Sequence, residues 1–256
     1  MGTLDAYKGI QVVNDATGAG GIALTNSLKV LADHEDGDGT DHSGLGQLDG
    51  VNIWSTGNTF TGNVYTSGDI EYQDTFWDDL RVPVLSTKKG GSKEPVWTKI
   101  VDNDDSSQGV FTYVFSASTE QELYFACQVP HCWKESSDIH AHVHWLPTAN
   151  GGAGEDVSWG LEYSWADINE VFGNTNIIYG DVTKAAETLV QNKHYLTELG
   201  VITASGKTFS SMLLCRIFRD ATGAGGTDDF GDTAGLLEID FHYEIDSPGT
   251  SEEYVK

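Results

Sequence analysis

Apolar and polar positions divide the chain into two parts. From about Phe76 onward apolar residues recur at every second position in successive runs. This is the period of a strand with one face on a core and the other in water. The last run is the most regular. Leu237, Ile239, Phe241, Tyr243 and Ile245 take one face, and Glu238, Asp240, His242 and Glu244 take the other. Trp159, Leu161, Tyr163 and Trp165 alternate with Gly160, Glu162 and Ser164, while Ile139, Ala141, Val143 and Trp145 share a face within 138–146. Residues 110–115, 122–129, 176–179, 195–203 and 211–219 read as further strands. Sidedness of this kind belongs to antiparallel sheets. About eight such strands predict an all-β fold over 71–256, an antiparallel two-sheet sandwich of jelly-roll type, with a barrel as the alternative on the same pattern.

Residues 1–70 lack this alternation and are rich in Gly, Asp, Thr and Asn. One amphipathic helix is predicted within 25–34, with Leu24, Leu28 and Leu31 on one face and Thr25 or Asn26 as cap. Residues 51–54 and 63–65 read as short strands. Such a segment buries little surface alone, so 1–70 is expected to be an extended arm that anchors on a partner or a neighbouring subunit.

Composition adds constraints. Apolar residues make up 39% and aromatics 11% of the 256 residues, enough for a packed core. The net charge of −25 repels phosphate backbones and anionic lipid, so neither nucleic acid nor membrane is an expected partner. No stretch approaches the length of an apolar membrane span, and the first residues lack the pattern of a secretory leader. Cys127, Cys132 and Cys215 are odd in number, with no close pair, and are expected to be reduced thiols suited to a reducing cytoplasm.

The sharpest chemical constellation is His140, His142 and His144. Alternate residues of a strand face the same way, which makes these three the candidate metal ligands, with Glu238, Asp240 or Glu244 as a completing carboxylate. The bland reading is a polar strand face whose histidines hydrogen-bond to acidic neighbours, raising their pKa. A divalent metal at that strand is the one cofactor the sequence suggests. The acidic runs 33–41, 102–105 and 228–232 offer oxygen ligands but not the spacing of a calcium loop, and read as solvated loops. There is no nucleophile elbow and no phosphate loop. A Cys–His pair of His131 with Cys127 or Cys132 is disfavoured by adjacency. Trp54, Trp77, Trp97 and Trp133 sit in loop-like polar surroundings and read as core plugs, interface anchors or sugar platforms. The heptapeptide Asp15–Ala16–Thr17–Gly18–Ala19–Gly20–Gly21 recurs at 220–226 as two similar Gly-rich turns.

From Trp77 to the C-terminus the chain resembles proteins encoded beside structural genes in tailed-bacteriophage genomes. The resemblance is carried by residues 77–83, 125–135, 139–145, 159–165 and 236–244, among them His131–Cys132–Trp133 and His140–Ala141–His142–Val143–His144. Residues 8–14 with Gly18 to Gly21 look like the opening of phage fibre and head-accessory proteins. The resemblance implies a virion structural protein without assigned activity, a homotrimer on the outer surface of the particle, made in the host cytoplasm. It leads to the expectation of a non-enzymatic capsid decoration or head/tail accessory protein. Residues 1–70 would grip the major capsid protein or another virion protein, and the sandwich would trimerise. The alternatives are a fibre or tip protein that binds host-surface glycan, and a cupin-like metal-dependent enzyme.

Overall fold

The computed structural model describes residues 70–72, 74–104, 107–181 and 188–253. Its strands are β1 (Phe76–Pro83), β2 (Lys88–Lys89), β3 (Val96–Val101), β4 (Val110–Phe115), β5 (Glu122–Gln128), β6 (Ile139–Pro147), β7 (Ser158–Ala166), β8 (Asn176–Asp181), β9 (Tyr195–Ile202), β10 (Met212–Arg219) and β11 (Ala234–Ile245). The arm's predicted helix and short strands, Trp54, the acidic run 33–41 and the first copy of the heptapeptide lie outside the described residues.

All strand pairs are antiparallel and form two sheets. One has the order β3-β4-β11-β6-β9, with β1 added to the second half of β11; the other has the order β2-β5-β10-β7-β8. From β4 onward the chain crosses between the sheets as a jelly roll does, with β4-β11-β6-β9 facing β5-β10-β7-β8. The fold is thus the sandwich, not the barrel.

The core lies between the sheets and is built by the alternation itself. Ala141, Val143, Trp145, Trp159, Leu161, Ile239 and Phe241 are all at most 1% exposed. Aromatic rings interlock within this core. Phe115 meets Trp159 edge-on with centroids 5.1 Å apart, and Trp145 stacks on Tyr195 at 5.2 Å. The buried indole N–H of Trp145 is satisfied, donating to Thr197 Oγ1 at 2.9 Å.

Two features depart from the sequence pattern. A bulge between Leu236 and Glu238 shifts β11 against β6, so Leu236 is fully buried and Leu237 leaves the core. One extra residue reverses which side chain faces inward. The other departure is β1, β2 and β3, which the alternation did not reveal. Along β1 only Val82 is buried, yet all eight residues pair with β11. Trp77 and Trp97 therefore stand on strands rather than in loops, and Trp133, 0% exposed, is part of the core.

The connection from β10 to β11 is organised by two buried charges. Arg219 bonds Asp228 twice, at 2.8 and 2.7 Å, and donates to the carbonyls of Phe230 and Asp232, both at 2.6 Å. Asp220 accepts the N–H groups of Ala224, Gly225 and Gly226, so this copy of the heptapeptide is a loop closed on its own aspartate. A Cβ at Gly225 would stand 2.1 Å from the Tyr179 ring, which explains that glycine. Burial raises the Asp228 pKa even against the pull of the guanidinium. The pair is therefore expensive to break from one side. Arg219→Met should lower unfolding stability by about 3–5 kcal/mol, read from denaturant melts with unchanged slope. A loss below about 1 kcal/mol would contradict this role.

Candidate functional site

The outer face of the six-stranded sheet carries the candidate site. Because inner positions are taken by Ile139, Ala141, Val143, Phe241 and Tyr243, the intervening residues face outward on neighbouring strands. Register aligns them in rows across β1, β11, β6 and β9. Asp79, His242, His140 and Val201 form one row; Arg81, Asp240, His142 and Glu198 form the next. Glu238, His144 and Leu196 follow, with Pro83 opposite Glu238. Strands are ~4.8 Å apart and outward residues of one strand ~7 Å apart, so each row holds its groups within mutual reach.

Five of the eight histidines gather here: His140, His142, His144 and His242 on strands, and His194 just before β9. Each meets a specific neighbour. His242 Nδ1 lies 2.7 Å from Asp79 Oδ1 and His144 Nδ1 lies 2.7 Å from His194 Nε2. His140 is 3.5 Å from Glu198, while His142 and His144 both approach Asp240 at 3.6 Å. Arg81 forks onto Glu238 at 2.5 and 2.9 Å. The groups Asp79, Arg81, His144, His194, Leu237, Glu238 and Asp240 line an open cleft of 460 Å³. On the same sheet face the indole of Trp77 lies parallel to the His242 ring, centroids 4.7 Å apart and planes 6° apart, with Trp77 45% exposed.

The electrostatics follow from this packing. Asp240 is 5% exposed. Burial by itself would raise its pKa, but His142 and His144 outweigh that and hold it below the ordinary carboxylate value. Reciprocally, the Asp240 carboxylate raises the His142 pKa against the opposing effect of burial, with Glu198 and Asp79 adding to the rise.

The three strand histidines share a face, as their spacing requires; His140 approaches Glu198, His142 approaches Asp240, and His144 approaches both Asp240 and His194. Histidines two apart on one strand are ~7 Å apart at the backbone, whereas zinc bonds to nitrogen are about 2.0–2.1 Å, so a shared ion needs ligands brought in from further strands. Among the described residues no group of three or more His, Cys, Asp or Glu is arranged to hold a metal ion. In the two acidic runs that reach the described residues, one aspartate each has a local cationic partner. Asp102 pairs with Lys99, and Asp228 with Arg219. His131 bonds Thr250 Oγ1 and Ser210 Oγ, both at 2.8 Å, while Cys132 contacts Tyr243, so the two do not pair. All three thiols are free. Trp77, Asp79, Arg81 and His194 were not singled out from the sequence as one site. β1 buries only Val82, so no alternation marked the first three, and they reach the site through the pairing of β1 with β11.

No family model matches this chain, and no curated protein does. Among solved structures it is similar to the CBM22-2 xylan-binding domain of Paenibacillus barcinonensis Xyn10C. Identity is 9%, the TM-score is 0.36, and the match covers 66% of this chain and 99% of that one. It is also similar to the Clostridium thermocellum endo-1,4-beta-D-xylanase 10B CBM22-1–GH10 modules complexed with xylohexaose. There identity is 14% and the TM-score 0.32, covering 73% of this chain and 30% of that one. The enzymatically active domain of bacteriophage CBA120 tailspike protein 4 matches at 10% identity and a TM-score of 0.25, covering 67% of this chain and 19% of that one. At these values the likenesses carry no functional argument, which rests on the side chains instead.

A raised histidine pKa has a defined sign. The folded state holds the His142 proton more tightly than the unfolded chain does. Its stabilisation is full below about 6.5 and is lost as pH rises through the folded-state pKa. An NMR titration should place the His142 midpoint above about 6.5 in the wild type. In Asp240→Asn the midpoint should drop, because burial then acts with little opposition. An unmoved midpoint in the variant would show that Asp240 is not the cause.

Proposed function

We propose that this chain is a non-catalytic glycan-binding β-sandwich and that the β1-β11-β6-β9 face is its binding surface. One observation carries the reading: a 45% exposed indole, stacked on His242, shares a sheet face with a cleft lined with carboxylates, a guanidinium and imidazoles. Sugars present an apolar face of C–H groups and an edge of hydroxyls. A planar aromatic ring suits the first, and fixed planar acceptors and donors suit the second. The carboxylates are already oriented by Arg81 and the histidines, so little side-chain entropy is lost on binding. The resemblance of 77–256 to tailed-phage virion proteins supports a host-surface glycan as target and the outside of a particle as setting. Trp77→Ala should weaken glycan binding about tenfold or more on an array and in titration, consistent with an aromatic contact of ~1.5 kcal/mol. Its melting temperature should stay near wild type, since the ring is on the surface. If the intact protein binds no glycan, or the variant binds equally well, the reading fails.

A second reading, capsid decoration or head/tail accessory through a homotrimer, is favoured by a different surface. Trp97 and Phe111 are each more than 40% exposed on adjoining strands β3 and β4 and share one face there. Trp97 and Phe111 lie nearly parallel, 13° apart. Grouped exposed apolar side chains suit a subunit contact. In this reading residues 1–70 anchor the chain on a capsid or other virion protein. Light scattering on the full chain should then give a trimer, and Trp97→Glu a monomer. A wild-type monomer at working concentration would exclude it.

A further inference from the structure

The strand β1 is an open edge of the larger sheet. It pairs with β11 through all eight residues, and among the described residues no other strand runs along its opposite side. The Asp79 N–H donates to Asp78 Oδ1 at 2.9 Å, so a side chain holds a backbone donor that faces this edge. Backbone groups of alternate residues point to the same side of a strand, which makes Trp77, Asp79, Arg81 and Pro83 the residues of the open ladder. A strand edge of this length is a template for another strand, and natural edges carry charges and prolines that limit what can pair. Here those are Asp78, Asp79, Arg81 and Pro83.

Their order admits one register of self-pairing. Two copies of β1 related by a twofold axis run antiparallel, and facing side chains must stay on matching faces, so the register moves in steps of two residues. Centres at Asp78, Asp79 or Arg81 set like charges opposite each other, and a centre at Val82 pairs only the last residues of the strand. A centre at Leu80 pairs 77–83 throughout. It sets Asp79 opposite the partner's Arg81 twice over, Trp77 opposite the partner's Pro83, and Leu80 on the axis. Opposite charges directly across a ladder stabilise it, and like charges destabilise it. Both charges have room for a second partner. The Arg81 side chain is 69% exposed and meets Glu238 through Nε and Nη2, and the Asp79 side chain is 45% exposed and meets His242 through Oδ1. Arg81 Nη1 and Asp79 Oδ2 are left for a facing strand.

We infer that β1 pairs with β1 of a second copy of this chain, joining two six-stranded sheets edge to edge across a twofold axis at Leu80. The ladder supplies backbone hydrogen bonds, and the Asp79–Arg81 pairs select the register. The contact is one strand wide, so association is weak in dilute solution and strengthens where copies are held close together. Pairing covers an edge and leaves the outer face of the sheet open, so the polar faces of both copies lie side by side as one surface. The inference therefore stands whether or not that face binds glycan. It uses neither Trp97 nor Phe111, and is separate from the β3-β4 surface.

The test is sedimentation of the full-length chain carrying Trp97→Glu, which removes the β3-β4 contact. It should show a monomer that passes to a dimer as protein concentration rises. Asp79→Arg and Arg81→Asp, each added singly, should weaken dimerisation about tenfold or more, because each sets like charges opposite each other. An equimolar mixture of these two variants should recover the dimer, since every charge then faces its opposite. A loss caused by misfolding would not be recovered by mixing. The register is read separately. Leu80→Cys should give a disulfide-linked dimer with oxidised glutathione, because facing residues of that pair type lie ~4.5 Å apart at Cα, within disulfide reach. Val171→Cys, at a position 91% exposed on the β7-β8 connection, should not. Four results would overturn the inference: a monomer at every concentration, dimers indifferent to both charge reversals, a mixture that stays monomeric, or no cross-link through Leu80→Cys.

Discussion

The strand β11 is the constraint on which the rest of the structure depends. It runs through the middle of the larger sheet and holds β4 and β1 along one side and β6 along the other. Its inward residues Ile239, Phe241 and Tyr243 meet the opposite sheet, as where Phe125 approaches Phe241 at 6.1 Å. Its outward residues Glu238, Asp240 and His242 supply the middle of the polar plate. Because side chains alternate strictly, one register decides both sets at once. The bulge after Leu236 is where that decision is made. It lets the first half of the strand follow β4 and the second half follow β1, and it turns Leu237 out into the cleft.

Polar groups on the plate are arranged so that few stand alone. Arg81 has Glu238, His242 has Asp79, and His144 has His194. Exposed pairs of this kind add little stability, with typical values near 0–1 kcal/mol. Their effect is orientation. A side chain held by a neighbour loses less freedom when a ligand arrives, and a row of such groups presents fixed hydrogen-bonding directions. Such pairs contribute little to the fold, which the aromatic core provides, and suit the recognition role proposed for this face. The contrast with Arg219 is instructive: there the charges are buried, the carbonyls of Phe230 and Asp232 are satisfied, and the result is a fixed loop rather than an open face.

Where one face was apolar and the other polar, the strands could be read directly, and β4 to β11 appear within a few residues of their predicted limits. β1 could not be read this way. Its sequence Phe76–Trp77–Asp78–Asp79–Leu80–Arg81–Val82–Pro83 buries one residue, and its strand character comes from pairing with a partner more than 150 positions away. The same holds for the site. The shared face of His140, His142 and His144 is a local consequence of period two. The arrival of Asp79, Arg81 and His194 beside them is a consequence of topology, which no local pattern records. Trp133 is the core plug that the sequence allowed despite its polar neighbours His131, Lys134 and Glu135, and an isolated bridge pairs it with Ile245.

Charge bears on what such a surface can hold. With −25 overall and Asp79, Glu238 and Asp240 in the cleft against Arg81, the face repels anionic ligands at neutral pH. A sugar bearing carboxylates or sulfates would meet that field before any hydrogen bond forms, whereas a neutral sugar would not. One histidine modulates the field. The pKa of His142 is raised by the Asp240 carboxylate beside it, and that carboxylate is held below its ordinary value, so as pH falls His142 gains charge next to a group that stays ionised. Acid therefore draws the rows closer together electrostatically and lowers the negative charge of the face. If the face binds glycan as proposed, neutral sugars fit its charge better than anionic ones, and protonation of His142 lowers that barrier. The selectivity of the face is set by the balance between its carboxylates and its histidines, and that balance follows from the alternation along β1, β11 and β6.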